Sequence, residues 1–349
     1  MMTATGLFYF VEGIAVAFFV IMAIQNLWQH GNRLRTIMGW ILAYWAVQHL
    51  LGVAFTSDFL STTRYFSRII NAVDMTAEPT CAFLLFELCM PGWLTKRRIV
   101  CNEMPFIILG TISIFTEHEV FYYILVGFFW LYGTTVMIIT FINIPKYNRF
   151  LREHYSYEEN INLRWLYIVL LSFTGLMVAY TICSIFDTVV GDIIYMSGSI
   201  LCWAWICYCI QRQESVLDEL ENVKTIEIPV DEEEPGTNNL PELDEVIETR
   251  FIAKQLYLNP QLKLGDMAQA IGTNRTYLSR YLNDVLNTNF YDYVNALRLN
   301  HARQMIENAK ELNIMTIAQL AGFNSYSTFR RTFIAKYKIS PQEYRNQHG

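Results

Sequence analysis

The hydrophobic pattern splits the chain in two. Up to about residue 211, long apolar stretches alternate with short polar ones. Seven of them, at 5–28, 36–56, 66–90, 99–116, 120–142, 163–186 and 189–211, reach the roughly 20 residues that a helix needs to cross a bilayer. The third and fourth are interrupted by Pro79, by Pro105 and by acids. The first lacks a basic leader and is too long for the apolar part of a cleaved signal peptide. Beyond residue 245 the period changes, and apolar residues recur at three- and four-residue steps, the spacing of one helix face. The pattern predicts an all-α chain of three parts. Residues 1–211 form a seven-span transmembrane helix bundle, 212–244 a helical and then flexible linker, and 245–349 a compact helical domain.

Two segments of the terminal domain share one plan. In IAQLAGFNSYSTFRRTF (317–333), Thr316 and Gln319 have the spacing of a capping box, so a helix is expected to start there. Ile317, Leu320 and Ala321 give that helix an apolar face, and small Ala318 allows a close crossing. Gly322 sits where the chain needs a left-handed residue, and Asn324 or Ser325 caps a second helix. The second helix buries Phe329 and Phe333 and turns Tyr326, Ser327, Arg330 and Arg331 outward. Upstream, LKLGDMAQAIGTNRTYLSRYLNDVL (262–286) repeats the plan. Ala268 is its small residue, Gly272 its turn and Thr273 or Asn274 its cap. Leu278 and Leu282 face inward, and Arg275, Ser279 and Arg280 face out. Each segment predicts a helix-turn-helix. Between them, FYDYVNALRLNHARQMI (290–306) reads as one helix of roughly 25 Å. It can hold two recognition helices about one duplex turn, roughly 34 Å, apart. Ser340, Pro341 and Glu343 open a last short helix through a capping box.

Over about residues 245–346 the chain resembles the DNA-binding domain of the AraC/XylS family of bacterial transcription regulators. The residues that carry the resemblance are Leu264 to Ile271, YLSRYLN (277–283), NFYDYV (289–294), ALRLNHA (296–302), IAQLAGF (317–323), STFRRTF (327–333) and SPQEYR (340–345). The resemblance implies promoter DNA and RNA polymerase as partners, and activation more often than repression. It maps base or phosphate contacts onto Arg275, Thr276, Ser279 and Arg280 and onto Tyr326, Ser327, Thr328, Arg330 and Arg331. Of these, Tyr326 and Arg330 are expected to read bases, and Arg280 and Arg331 to hold phosphate. By the same pattern Arg298 is structural.

Charge sharpens the division. From Arg250 onward, 13 Lys and Arg face 6 Asp and Glu, a net +7, although the whole chain carries −6. A basic terminal domain suits a nucleic-acid partner. The loops after spans one, three and five carry Arg33 and Arg35, then Lys96, Arg97 and Arg98, then Lys146, Arg149, Arg152 and Arg164. Those after spans four and six carry Glu117, Glu119 and Asp187 and no Lys or Arg. Arg64, after span two, is the exception. The positive-inside rule then places the N-terminus outside and the C-terminus in the cytoplasm of a bacterial inner membrane.

Between the two parts, Val216, Leu220 and Val223 form a short apolar seam that offers a homodimer contact. DEEEPGTNNLP (231–241) reads as a solvating spacer. Its four consecutive carboxylates, Asp231 to Glu234, also resemble a phosphate track that could compete for Arg280 and Arg331. In span three, Asn71, Asp74 and Glu78 share one helix face. Acids at membrane depth are expensive and face a cavity or the bundle interior, so these three are candidates for sensing a small molecule, a cation or a proton. Hydrogen bonding to Gln48 and His49 is their plain structural alternative, and Glu12 and Glu87 are weaker members of the set. The seven cysteines, all within the first 212 residues, read as buried thiols and not as a metal site. No nucleophile–base pair, phosphate loop or metal-spaced cluster stands out, so neither enzymatic activity nor a cofactor is expected. The expected function is a membrane-embedded transcription regulator. The competing reading is a transporter or membrane enzyme with a regulatory helix-turn-helix domain.

Overall fold

The structure is a computed structural model, and it describes residues 4–28, 33–56, 64–116, 118–186, 188–212 and 240–348. The apolar seam at Val216, the acids at 231–234, and Glu117 and Asp187 lie outside the described residues. The chain separates into two compact units. One comprises 1–147 and 163–224, the other 148–162 and 225–349.

The first unit contains α1 (Ala4–Trp28), α2 (Arg33–Thr56), α3 (Arg64–Met75), α4 (Ala77–Cys89), α5 (Lys96–Phe115), the larger part of α6 (Val120–His154), α7 (Leu166–Phe186) and α8 (Val189–Arg212). Among the described residues, seven helical segments are long and apolar enough to cross a membrane. Many apolar side chains point outward, including Ile21, Trp40, Leu131, Leu171 and Leu201. Apolar surface of this extent marks a face that meets a membrane or another protein. The interior is built on aromatic packing, with Trp45 5.2 Å and Phe19 6.4 Å from the fully buried Trp203.

The third apolar stretch is two helices. Pro79 has no N–H to give, and its ring would clash with the carbonyl four residues back, that of Met75. The helix therefore breaks at Thr76 and restarts at Ala77, where Pro79 falls among first-turn positions that lack intrahelical partners anyway. Gln48 donates to the Val73 carbonyl at 2.8 Å and so satisfies an acceptor at the break. Pro105, by contrast, lies inside an uninterrupted α5.

The second unit contains α9 (Leu240–Ile247), α10 (Leu264–Ile271), α11 (Arg275–Arg280), α12 (Phe290–Asn308), α13 (Ile314–Leu320), α14 (Tyr326–Tyr337) and α15 (Pro341–His348). Two apolar cores form around α12. Phe290 and Val294 pack with Leu264, Met267, Leu278 and Leu282, and Ala302 and Ile306 pack with Ile317, Ala318, Phe329 and Phe333. One helix thus belongs to both halves. The unit also takes in 148–162, which the hydrophobic pattern alone reads as a connection between spans. Tyr155 bridges Lys263 in antiparallel fashion, and the Ser156 N–H donates to the Leu262 carbonyl at 3.1 Å.

Candidate nucleic-acid interface

Local capping sets both helix-turn-helices. Gly272, at φ +79°, ends α10, and Asn274 caps α11 by accepting the Tyr277 N–H at 2.7 Å. Gly322, at φ +85°, makes the second turn, and Ser325 caps α14 through the Thr328 N–H at 3.2 Å. The expected start of the preceding helix is corrected. Asn313, not Thr316, is the cap; its side chain accepts the Thr316 N–H at 2.7 Å, so Thr316 lies within the first turn. At the last helix the expected capping box is present. The Ser340 N–H donates to Glu343 at 2.7 Å, and the Glu343 N–H donates to the Ser340 hydroxyl at 3.2 Å. Hydrogen bonding from the Ser340 backbone N–H and hydroxyl to the carboxyl holds Glu343 below its usual range.

On α14, Tyr326, Ser327, Arg330 and Arg331 are exposed, as their spacing predicts. Thr328 is not. It is buried at 8% exposure beside Phe329, because the apolar stripe that buries Phe329 and Phe333 is wide enough to include the adjoining position. Its expected place on the outward face is therefore corrected. On α11, Thr276 and Arg280 are exposed, and half-buried Ser279 accepts from Asn283 at 3.3 Å. Arg275 departs from expectation in part. Its guanidinium folds onto α10, and a Cβ at Gly265 would sit 2.7 Å from its Nε. The helix after Arg280 widens into a π turn over Tyr281–Val285, which keeps Leu282 in the core.

Arg298 is structural, as the family pattern implies. It is buried and donates to the carbonyls of Tyr257 at 2.7 Å, Asn259 at 2.6 Å and Ser156 at 3.0 Å, and to the Ser156 hydroxyl at 2.9 Å. Burial pushes its guanidinium down to about 10, and the nearby Glu159 opposes that shift. It stays charged at neutral pH, which makes those four acceptors necessary.

Two acceptors on the second helix-turn-helix come from residues 148–162. Glu158 Oε1 takes a bond from Arg152 Nε at 2.9 Å, and its Oε2 lies 3.3 Å from Arg331 Nη2. Glu159 accepts the hydroxyl of Ser325, the cap of the same helix, at 3.0 Å. Sequence reading missed Ser156, Glu158 and Glu159. Their one signal was length: the connection between the fifth and sixth spans exceeds the roughly 12–15 residues beyond which a structureless loop in a compact fold is unusual.

The helix-turn-helix domain family matches residues 267–347. The C-terminal domain is an AraC-type helix-turn-helix domain. The melibiose operon regulatory protein of Escherichia coli K12 is 33% identical over 95 residues, which are 27% of this chain and 30% of that protein. A protein of Proteus vulgaris described as "Probable transcription factor PqrA" is 28% identical over 96 residues, 28% of this chain and 78% of its own. A solved transcriptional regulator of Chromobacterium violaceum, described as an AraC-type DNA-binding domain-containing protein, is 28% identical. It covers 33% of this chain and 97% of its own, with a TM-score of 0.28. The chain thus spans under a third of the length of the melibiose regulator.

In the first unit, Asp74 and Glu78 line one cavity despite the helix break between them, whereas Asn71 is not among its lining residues. Gln48 binds the break at Val73 and Thr76. His49 pairs with Glu12 at 2.9 Å. Glu87 accepts from Arg33 at 2.8 Å and from the Gly92 and Leu94 N–H groups, a purely architectural set.

Proposed function

We propose that the chain is a membrane-embedded, sequence-specific transcription regulator, an activator of its target promoters. The seven apolar helices sit in the bacterial cytoplasmic membrane with the N-terminus outside. The AraC-type domain lies in the cytoplasm, where it binds promoter DNA and engages RNA polymerase. One observation carries this reading: a single chain joins an AraC-type domain with exposed Arg280, Tyr326, Ser327, Arg330 and Arg331 to helices whose outer faces are apolar. Thr276 and Ser279 complete the first recognition surface, with Tyr326 and Arg330 reading bases and Arg280 and Arg331 holding phosphate.

The seven-helix unit receives the signal, and Asp74 and Glu78 are its receiving groups. Residues 148–162 comprise the last turns of α6 and the segment that follows it, so they are the covalent link best placed to pass a change in that helix to α14. Glu158 and a DNA phosphate offer Arg331 the same kind of partner, so release of Glu158 would favour DNA. Genome-wide mapping of the chain's DNA footprint tests the reading. Promoter-associated footprints that change when Asp74 and Glu78 are replaced by Asn and Gln support it. Substrate flux in vesicles with no footprint on DNA overturns it in favour of a transporter.

A further inference from the structure

The seven-helix unit holds a cavity of about 50 Å³ lined by Asp74 and Glu78, with six aromatic rings and no Lys, Arg or His among its lining residues. His49, the base on the neighbouring helix, is already engaged by Glu12. Gly133 brings the α6 backbone against the site, since a Cβ there would lie 2.7 Å from Glu78 Oε1. Two polar hydrogens are also left over. Trp203 is fully buried, and its Nε1–H has no acceptor; the buried Tyr180 hydroxyl has no partner either.

These features specify a ligand chemistry. Two carboxylates in apolar surroundings need a countercharge or must give up their own charge. A metal ion would take several hard ligands, and among the described residues no group of three or more His, Cys, Asp or Glu could hold one. Aromatic faces favour a weakly hydrated organic cation, which the rings attract through their quadrupoles. The unpartnered Trp203 N–H calls for an acceptor on the same molecule, because a buried donor left unmade is costly.

We propose that this cavity binds a small organic ammonium ion that also carries an oxygen acceptor. Asp74 and Glu78 hold the ammonium, Trp45, Tyr195 and Trp203 face it, and the Trp203 Nε1–H donates to the oxygen. The proposal rests on the reading of this unit as a receiver and adds the class of what it receives. The ammonium comes either from a free amine or from an aminated lipid headgroup, and the two share this chemistry.

The full chain in phosphatidylglycerol nanodiscs is titrated by calorimetry with ethanolamine, with ethylammonium, which lacks the oxygen, and with ethylene glycol, which lacks the charge. Saturable ethanolamine binding is expected, with none for ethylene glycol. Asp74→Asn combined with Glu78→Gln should weaken it at least tenfold. Trp203→Phe keeps an aromatic ring, and it should reduce the preference for ethanolamine over ethylammonium. Loss of free-ethanolamine binding when phosphatidylethanolamine is added to the disc identifies the headgroup as the source, and its persistence identifies the free amine. No saturation by either amine, equal binding of ethylene glycol, or unchanged binding in the double variant overturns the proposal. DNA affinity is read in the same preparations. Amine binding that leaves it unchanged would sustain the site and sink the reading of the unit as a signal receiver.

Discussion

Glu158 and Arg331, 173 residues apart in the chain, meet at 3.3 Å on the second recognition helix. The carboxylate side chain is 9% exposed and the guanidinium 51%. Arg331 thus reaches solvent, where a phosphate can approach, yet already has an anionic partner. That partner acid stands between α6 and α7.

Glu158→Gln should strengthen DNA binding. A half-exposed pair of this kind contributes about 0.2–1 kcal/mol, so the gain should be modest, on the order of 1.5–5-fold. It should be largest at low salt and fade as salt screens the charge. Anisotropy titrations of the nanodisc-embedded chain with duplex DNA across a salt series measure it. A variant that binds no tighter at low salt would show that Glu158 does not compete.

The assigned DNA face predicts two distinguishable losses. Arg280→Ala should weaken binding to operator and random duplex alike and flatten the salt dependence. Arg330→Ala should relax preference at one base position by about 1–3 kcal/mol if the contact is bidentate to guanine. Thr328→Ala, at a buried position, should leave sequence preference unchanged. Competition binding with operator variants separates the three.

The two turn glycines should differ. Gly272 and Gly322 both have positive φ, which costs a side-chain-bearing residue about 1–2 kcal/mol. A Cβ at Gly272 would meet only an Arg250 nitrogen at 3.4 Å, whereas one at Gly322 would meet the Leu258 carbonyl oxygen at 2.6 Å. Backbone cannot swing aside as a side chain can, so Gly322→Ala should destabilise its half well beyond Gly272→Ala. Hydrogen exchange of α13 and α10 in the full chain reports each half. Equal protection losses would argue against the close approach of Leu258.

Arg298→Ala should be the most damaging single change in the second unit. It leaves the carbonyls of Tyr257, Asn259 and Ser156 short of a buried donor, and each buried acceptor left unsatisfied costs about 1–3 kcal/mol. Ser156→Ala removes only one hydroxyl and should cost about 1 kcal/mol. Loss of exchange protection along α12 that is large for the first and small for the second is the expected outcome.

Cysteine placed at Lys96 should be shielded from a membrane-impermeant reagent added outside the cell, because the basic run Lys96–Arg98 is expected to face the cytoplasm. Labelling from outside would change the number of spans.

What the sequence determined by itself was whatever local chemistry dictates. Apolar runs of bilayer length and a switch to helical period mark the two parts. Gly272, Gly322, Asn274, Ser325 and the Ser340–Glu343 pair mark the turns and caps, because each acts within a few residues of itself. Local rules went astray where two answers lie within one turn. Thr316 and Gln319 have the right spacing, but Asn313 reaches the free N–H groups first, and burial of Ile314 and Ile317 fixes the helix start. Thr328 follows the same logic, since a helical face has no sharp edge until its neighbours define one. Only the tertiary structure could bring Ser156 to Arg298, Glu158 to Arg331 and Glu159 to Ser325. Those pairs join residues more than a hundred positions apart, and no periodicity or composition encodes such a meeting. The same holds for the cavity. Asp74 and Glu78 were legible as acids sharing a helix face, but that Trp203, with its unpartnered N–H, lines the same cavity follows from packing, which decides which polar atoms are left without a mate.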